Sequence, residues 1–355
     1  MSIFKKSNNS RYLKEQRKDV VAFHYAPKSS VKDASHVFIW DLDKTYLDTH
    51  FESFSGLMRT VFEKAFQKRN VPGTAALVKA LSKKTSPLPI YFISASPPQM
   101  QEKIKRKLDL DGLSPFGFLS KDNLKNLRPA LWKRLTNHIG FKIQALMEIR
   151  LLLSDGCKMV CWGDDSESDA TIYSLFSDIC SHRLTDREVK TLFEELGVPL
   201  DQTELIIELR DQKENFDPLE RVYINLAVDT DPEYYRRYGR RLMAVDNTFE
   251  VVLDLFQRGF VDLESVLDVV KDLKKNYRFN RHNFEHSYEL LCIRKRLSVL
   301  ADSMIRPKLI ELGIFHKNYE PSVALCDQEA VPLKEDFADI TRPWIPERID
   351  YLSDY

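Results

Sequence analysis

Val37-Phe38-Ile39-Trp40-Asp41-Leu42-Asp43-Lys44-Thr45 is an apolar run that ends abruptly in two carboxylates one residue apart. Four successive apolar residues rich in β-formers read as a buried strand, which places Asp41 and Asp43 at its carboxyl end. Open α/β sheets hold their chemistry there. Asp41 is a candidate nucleophile or metal ligand, and Asp43 can turn back towards the same point as a general acid and base. An isolated Asp-x-Asp is more often only a turn, so the reading rests on partners elsewhere in the chain.

Three such partners follow. Ile90-Tyr91-Phe92-Ile93 reads as a second strand and ends in Ser94-Ala95-Ser96-Pro97-Pro98, where Ser94 is placed to donate a hydrogen bond to a bound phosphate. Phe141-Lys142 opens a helix that runs through Leu153. Near a helix start a cation opposes the dipole, so Lys142 invites a functional explanation. Lys158 to Trp162 reads as another strand, followed by Gly163-Asp164-Asp165-Ser166-Glu167-Ser168-Asp169. Acidic groups packed this closely repel one another unless a cation sits among them, and hard oxygen ligands suit Mg²⁺.

At 355 residues the chain can bury a large core, as one large domain with additions or as two. No run approaches the roughly 18 apolar residues of a membrane span. The start, Met-Ser-Ile-Phe-Lys-Lys, lacks the apolar core of a secretory signal, so a cytoplasmic location is expected. Cys157, Cys161, Cys180, Cys292 and Cys326 show no zinc-finger spacing and read as small hydrophobes. Formal net charge is zero, which argues against global attraction to nucleic acid. The distribution is nonetheless uneven. Residues 51–150 carry 18 Lys and Arg against 7 Asp and Glu, whereas residues 181–260 carry 11 against 17.

In chain order, residues 1–34 read as a basic N-terminal arm without periodicity. Phe54, Leu57, Met58, Val61, Phe62, Ala65 and Phe66 predict an amphipathic helix, and Thr74 to Leu81 another. Phe116 to Leu119 and Arg221 to Val228 predict strands. Residues 183–220 form an acidic stretch with a helix predicted at Glu188 to Leu196. Tyr234-Tyr235-Arg236-Arg237-Tyr238-Gly239-Arg240-Arg241 interleaves rings with arginines, a pattern that suits phosphate-rich ligands or an exposed helix equally. Helices are predicted across 263–315, packing on the core or mediating self-association. Residues 316–355, with four prolines, read as an extended tail.

Taken together, Asp-x-Asp-x-Thr, a strand-end Ser, a helix Lys and Gly-Asp-Asp-x-x-x-Asp resemble, in that order, the motifs of the haloacid-dehalogenase-like (HAD) phosphohydrolase superfamily. Ser94-Ala95-Ser96-Pro97, Pro115 to Leu119, Phe141-Lys142 and Gly163-Asp164 followed by Asp169 and Ile172-Tyr173 are more narrowly similar to the actin-patch phosphatidate phosphatase catalytic-domain family. The similarity spans roughly 35–262. It implies an α/β fold, a HAD-like Rossmannoid three-layer sandwich with a central parallel sheet, a minimal cap and a C-terminal helical extension. It also implies a Mg²⁺-dependent phosphatase with Asp41 as nucleophile and Asp43 as acid and base. Ser94, Lys142 and Thr45 would hold phosphoryl oxygens, Asp41, Asp43 and Asp164 the metal, and Asp165 and Asp169 its outer shell. The chain departs from the family at Lys44, where a third acid is usual, and at Asp165 and Pro98.

These residues leave the substrate open. A phosphatidate-like lipid, a soluble phosphomonoester such as a nucleotide, nucleic-acid end or phosphoprotein, and a non-catalytic phosphate-binding module are the alternatives; both aspartates at 41 and 43 argue against the last. Lys103, Lys105, Arg106 and Lys107 would draw an anionic membrane, or nucleic acid, to the rim of the site. Tyr46, Leu47 and Phe51 are the apolar candidates to meet a bilayer.

Overall fold

Val37 to Trp40 are wholly buried because the strand they form lies inside a sheet. The computed structural model describes residues 13–26, 31–48, 70–83, 89–96, 98–122, 138–166, 168–227, 230–323, 325 and 343–353. Two compact units divide the chain: Met1–Lys68, Leu88–Ile224 and Arg348–Tyr355 form the first, Arg69–Pro87 and Asn225–Glu347 the second. The helix predicted at 54–66 lies outside the described residues, as do Phe51 and Cys326.

The sheet strands of the first unit are β1 (Leu13–Arg17), β2 (Val20–His24), β3 (His36–Asp41), β4 (Ile90–Ser94), β5 (Gly117–Lys121), β6 (Lys158–Asp164) and β7 (Leu219–Asn225), in the order β1-β2-β5-β4-β3-β6-β7. β3 runs parallel to both β4 and β6, and β4 runs parallel to β5. The chain builds outward from β3 on one side, then crosses back to place β6 on the other. That reversal opens a crevice at the carboxyl ends of β3 and β6, where open sheets bind ligands. Asp41 and Asp164 are the last residues of those two strands.

The sheet is mixed rather than parallel throughout. Part of the segment read as a basic arm forms an antiparallel hairpin, β1 with β2, and β2 pairs antiparallel with β5. Val20 to Phe23 supply the reason: this short apolar run is buried, and Lys18, at a φ of 47°, makes the tight turn before it. Beneath the crevice, Trp40 and Trp162 stack with centroids 4.6 Å apart, and Phe38 and Tyr223 meet Trp162 at 5.6 and 5.0 Å. Offset and tilted ring pairs of this kind stabilise beyond their area. They pack side by side on the strands that carry the aspartates, whose spacing is that of the parallel ladder between β3 and β6.

Helices of the first unit are α2 (Gln101–Leu110), α3 (His138–Leu152), α4 (Asp169–Cys180), α5 (Asp186–Glu195) and α6 (Leu200–Asp211), with α1 (Thr74–Ser82) preceding them in the second. α5 falls where a helix was predicted and opens on a capping box between Thr185 and Glu188. The chain end, read as an extended tail, closes on this unit: Tyr351 is buried and its hydroxyl donates to Asp178 Oδ2 at 2.6 Å. The second unit combines α1 with β8 (Leu242–Val245), α7 (Thr248–Gln257), α8 (Leu263–Tyr277), α9 (Arg281–Ile293) and α10 (Val299–Glu311). Thr248 Oγ1 donates to the Pro72 carbonyl at 2.6 Å and Lys83 pairs with Asp268 at 2.8 Å, which ties the 70–83 segment to helices almost two hundred residues on. Residues 234–238 of the Tyr-Arg stretch form part of a 3₁₀ turn, Pro232–Tyr238.

α3 also carries a polar contact of its own. Gln144 Nε2 donates to the Arg17 carbonyl and to Glu148 Oε1, both at 2.8 Å. Burial pushes the Glu148 carboxyl up to about 8, against the Gln144 hydrogen bond and the Arg17 charge, which lower it. Between its ordinary 4.5 and about 8 the folded protein therefore holds a proton that the unfolded chain has released. Stability falls as pH rises through that window. Glu148→Gln should flatten the fall and make the protein more stable than the parent at pH 8, measured by urea unfolding at pH 5 and pH 8. Identical slopes in the two proteins would place the titration elsewhere.

Candidate active site

Three sheet ends and one helix bring the predicted residues together. Asp41 ends β3, Ser94 ends β4, Asp164 ends β6, and Lys142 stands in the second turn of α3. All four are buried to at least 97 %, with exposures of 1, 0, 3 and 1 %. The chain doubles back after Asp41: the amides of Tyr46 and Leu47 both donate to the Leu42 carbonyl, and Lys44 takes a positive φ of 58°. Asp43 is thereby returned towards the strand ends, half-buried, where its Oδ2 accepts from Ser94 Oγ at 2.8 Å and Ser96 Oγ at 3.4 Å.

Lys142 Nζ is the charge centre of the cluster. It donates to Asp169 Oδ1 at 2.5 Å and pairs with Asp41 Oδ1 at 2.9 Å. An ammonium this deeply buried persists only beside carboxylates, since the loss of hydration far exceeds what one neutral partner returns. Asp169 begins α4, and its Oδ2 accepts from the Asp164 amide at 3.2 Å. Asp164 Oδ1 in turn accepts from the Ser166 amide at 2.5 Å and from the Ser166 hydroxyl. Lys44 Nζ donates to Ser166 Oγ at 3.1 Å, so the lysine standing where a third acid is usual reaches the Asp164 loop through one serine.

The sequence-predicted residues take distinct places in this arrangement. Asp169, expected in an outer shell, shares one cluster with Asp41 and Asp164, each offering an oxygen within 4.8 Å of the others. Asp165 is not in that cluster. Ser94, expected to face a phosphate, is engaged with Asp43 and accepts from the Ser96 amide at 3.0 Å. Thr45 is fully buried and its Oγ1 has no hydrogen-bond partner among the described residues, so it is ready to donate to a bound oxygen. Gly163 and Ser166 stood within a quoted motif, but the sequence reading gave neither a role. Ser166 could have been found as a hydroxyl two residues after an aspartate, the spacing of an Asx-type turn. Gly163 is needed because a Cβ there would lie 2.7 Å from Asp169 Cγ and closer still to its Cβ and Oδ2.

The apolar rim expected near the site is absent among the described residues. Tyr46 is fully buried, edge-on to Trp40 and Phe92, with its hydroxyl donating to Asp111 at 2.7 Å, and Leu47 is 8 % exposed. Two of the four basic residues on α2 are held by local carboxylates: Lys105 pairs with Asp109, and Lys107 with Asp111 at 2.5 Å. Near the cluster, Tyr173 donates to the Trp162 carbonyl at 2.8 Å; burial, and then the Asp169 charge, keep its phenol protonated far above the usual range.

Three carboxylates around one ammonium leave a buried excess of negative charge, and all the donors are hard oxygens. That set fits a divalent cation of the Mg²⁺ type, which would neutralise the remaining charge.

Residues 36–184 match the family model described as the catalytic domain of phosphatidate phosphatase APP1. This is the family that the motifs resemble, and the matched stretch contains every candidate group from Asp41 to Asp169. The match thus ties this stretch to a phosphatase catalytic domain. No curated protein and no solved structure matches the chain. No helix among the described residues is long and apolar enough to cross a membrane.

Gly163→Ala tests the cluster directly. If the cluster holds Mg²⁺, the parent should gain about 2.7 kcal/mol at a hundredfold excess over Kd, and the substituted protein should keep its far-UV circular dichroism yet lose most of that gain. An undiminished Mg²⁺-dependent rise in Tm would show that Asp169 need not stand against Gly163.

Proposed function

We propose that this chain is a Mg²⁺-dependent phosphatase of the HAD type that works through an aspartyl-phosphate intermediate and acts on phosphatidate or a related phospholipid. The observation that carries the reading is the buried cluster of Asp41, Lys142, Asp164 and Asp169 at the switch point of the sheet. The family match supports the phosphatase class and gives phosphatidate as the substrate to test first.

In the first half-reaction an Asp41 carboxylate oxygen attacks phosphorus and the bond to the leaving oxygen breaks. The proton that this oxygen needs comes from Asp43, whose half-buried position and contacts with Ser94 and Ser96 hold it at the edge of the cluster. In the second, a water attacks the phosphoryl group, Asp43 takes its proton, and the Asp41 carboxylate is released with inorganic phosphate. Lys142 steadies Asp41 before attack and is positioned to donate to a phosphoryl oxygen as charge shifts off the carboxylate. Thr45 Oγ1 and the hydroxyl of Ser94 are further donors to that group. Asp41, Asp164 and the Asp43 carbonyl would hold Mg²⁺, with Asp169 beside them. When bound, the ion supplies charge neutralisation that lets two anions meet.

Asp41→Asn removes the attacking oxyanion while keeping its shape. Turnover of an aryl phosphate should fall by more than about a thousandfold, the scale seen when a nucleophile is lost. Chelation should abolish parent turnover, and Asp164→Ala should raise the Mg²⁺ requirement. Full activity in Asp41→Asn would remove it as nucleophile.

Substrate class is decided by a panel of phosphatidate vesicles, nucleotides, 5′-phosphorylated oligonucleotides and phosphopeptides. Phosphatidate should be preferred, with vesicle binding that weakens with salt and with Lys103→Glu and Arg106→Glu, the two exposed cations of α2, whose other two pair with Asp109 and Asp111. Strong turnover of a soluble phosphomonoester without vesicle binding would sink the lipid assignment and leave the phosphatase standing.

A further inference from the structure

Arg281-His282-Asn283-Phe284-Glu285-His286 opens α9 in the second unit, and its two imidazoles take no part in the catalytic cluster. Four residues carry a helix round by slightly more than one turn, so His282 and His286 stand on one face. Both are exposed, with ring centroids 6.0 Å apart and ring planes inclined by 21°. Neither ring forms a hydrogen bond or an ion pair among the described residues, so their nitrogens face solvent. The spacing His-x-x-Glu-His is one that zinc peptidases use on a helix, where the two histidines are the ligands and the acid is the base.

The helix beneath this pair is held firmly. Asn280 and Asn283 close a capping box at its start, Phe284 and Tyr288 are buried on the opposite face, and the Tyr288 hydroxyl donates to Asp302 Oδ1 at 2.6 Å. Ligands set in place by such a scaffold lose little freedom when they chelate. The movement required is small: with nitrogens about 2.0–2.1 Å from an ion and a tetrahedral angle between them, two imidazole centroids lie about 5 Å apart. Glu285 and Glu289 each follow a histidine by three residues and put negative charge beside the pair. Their carboxylates are engaged elsewhere. Glu285 Oε1 accepts from the His316 amide at 2.6 Å and lies 2.8 Å from its Nδ1, while Glu289 accepts from the Ser322 amide at 2.9 Å and the Tyr319 hydroxyl at 3.2 Å. They attract a cation without ligating it, and Glu285 is taken up by His316 rather than poised as a base. The spacing therefore serves binding and not hydrolysis.

We propose that His282 and His286 form a chelating site for a divalent transition ion of the Zn²⁺ or Cu²⁺ class, with two imidazole nitrogens from the chain and water in the remaining positions. Imidazole suits these ions, whereas Mg²⁺ takes hard oxygens such as those of the catalytic cluster. The two sites are thus separated by ligand chemistry, and this one does not rest on the phosphatase reading.

Isothermal titration of the full chain with Zn²⁺, in excess Mg²⁺ to occupy the catalytic carboxylates, tests it. Three variants accompany the parent: His282→Ala, His286→Ala, and His316→Ala, whose ring meets Glu285 outside the pair. One equivalent of Zn²⁺ should weaken by about a hundredfold in either of the first two, because the second ligand of a chelate acts at high effective concentration. It should keep its affinity in His316→Ala. The double variant His282→Ala/His286→Ala should be no weaker than either single one, as for two groups that act as a unit. Far-UV circular dichroism and aryl phosphate turnover should be unchanged throughout, since both rings are exposed. A second readout needs no variant: electron paramagnetic resonance of the Cu²⁺-loaded parent should show two coordinated imidazole nitrogens. A single coordinated nitrogen in the parent, or parental Zn²⁺ affinity in His286→Ala, would overturn the proposal. So would an equal loss in His316→Ala, which would centre the site on Glu285 instead.

Discussion

A single buried ammonium organises the catalytic end of the molecule. Lys142 cannot be stripped of water unless carboxylates surround it, and Asp41 and Asp169 do so at 2.9 and 2.5 Å. Each partner belongs to a different element, so the ion pair locks α3 against the end of β3 and the start of α4. The carboxylates depend on the lysine in return, since Asp41, Asp164 and Asp169 crowd together where like charges repel. The remaining imbalance of charge is what a cation placed among these carboxylates would offset. The interaction that closes this part of the core is therefore also the one that holds Asp41 in place.

Geometry around this pair leaves little freedom. Gly163 lets the β6 backbone approach the Asp169 side chain, and the Asp164 amide anchors Asp169 Oδ2. Lys44 and Ser166 extend the network to the first motif, which links two loops that the sheet alone would leave independent. The stacked Trp40 and Trp162 fill the layer underneath, side by side on the paired strands β3 and β6. Side chains of this size tolerate no slip without an eclipsed rotamer or a void. Asp43 differs from its neighbours in being half-buried, with the hydroxyls of Ser94 and Ser96 donating to its Oδ2, an arrangement that leaves its carboxyl open to proton exchange.

The sequence by itself determined the strand of Val37 to Asp41, the strand of Ile90 to Ile93, the helix after Phe141 and the acidic turn after Trp162. Each is a local pattern of apolar periodicity ended by polar residues, and such a pattern is a property of the chain itself. It also determined the family likeness, because the order and spacing of Asp41, Asp43, Ser94, Lys142 and Asp164 are properties of the chain. The helix beginning near Lys142 was legible, but its partners were not: they lie 101 residues before and 27 after in the sequence, and no local rule ranks one acid above another.

Only the tertiary structure decided the rest. It made Asp169 rather than Asp165 the third carboxylate, because α4 points its first residue back at β6 while Asp165 belongs to the turn. It turned part of a basic arm into two strands, because Val20 to Phe23 found the edge of β5 to pair with. It buried Tyr46 and Leu47, which looked like rim residues, because the chain folds back on itself directly after Asp43. Periodicity records which face of an element is apolar; which charges then meet across elements is set by packing, and packing is a property of the whole fold.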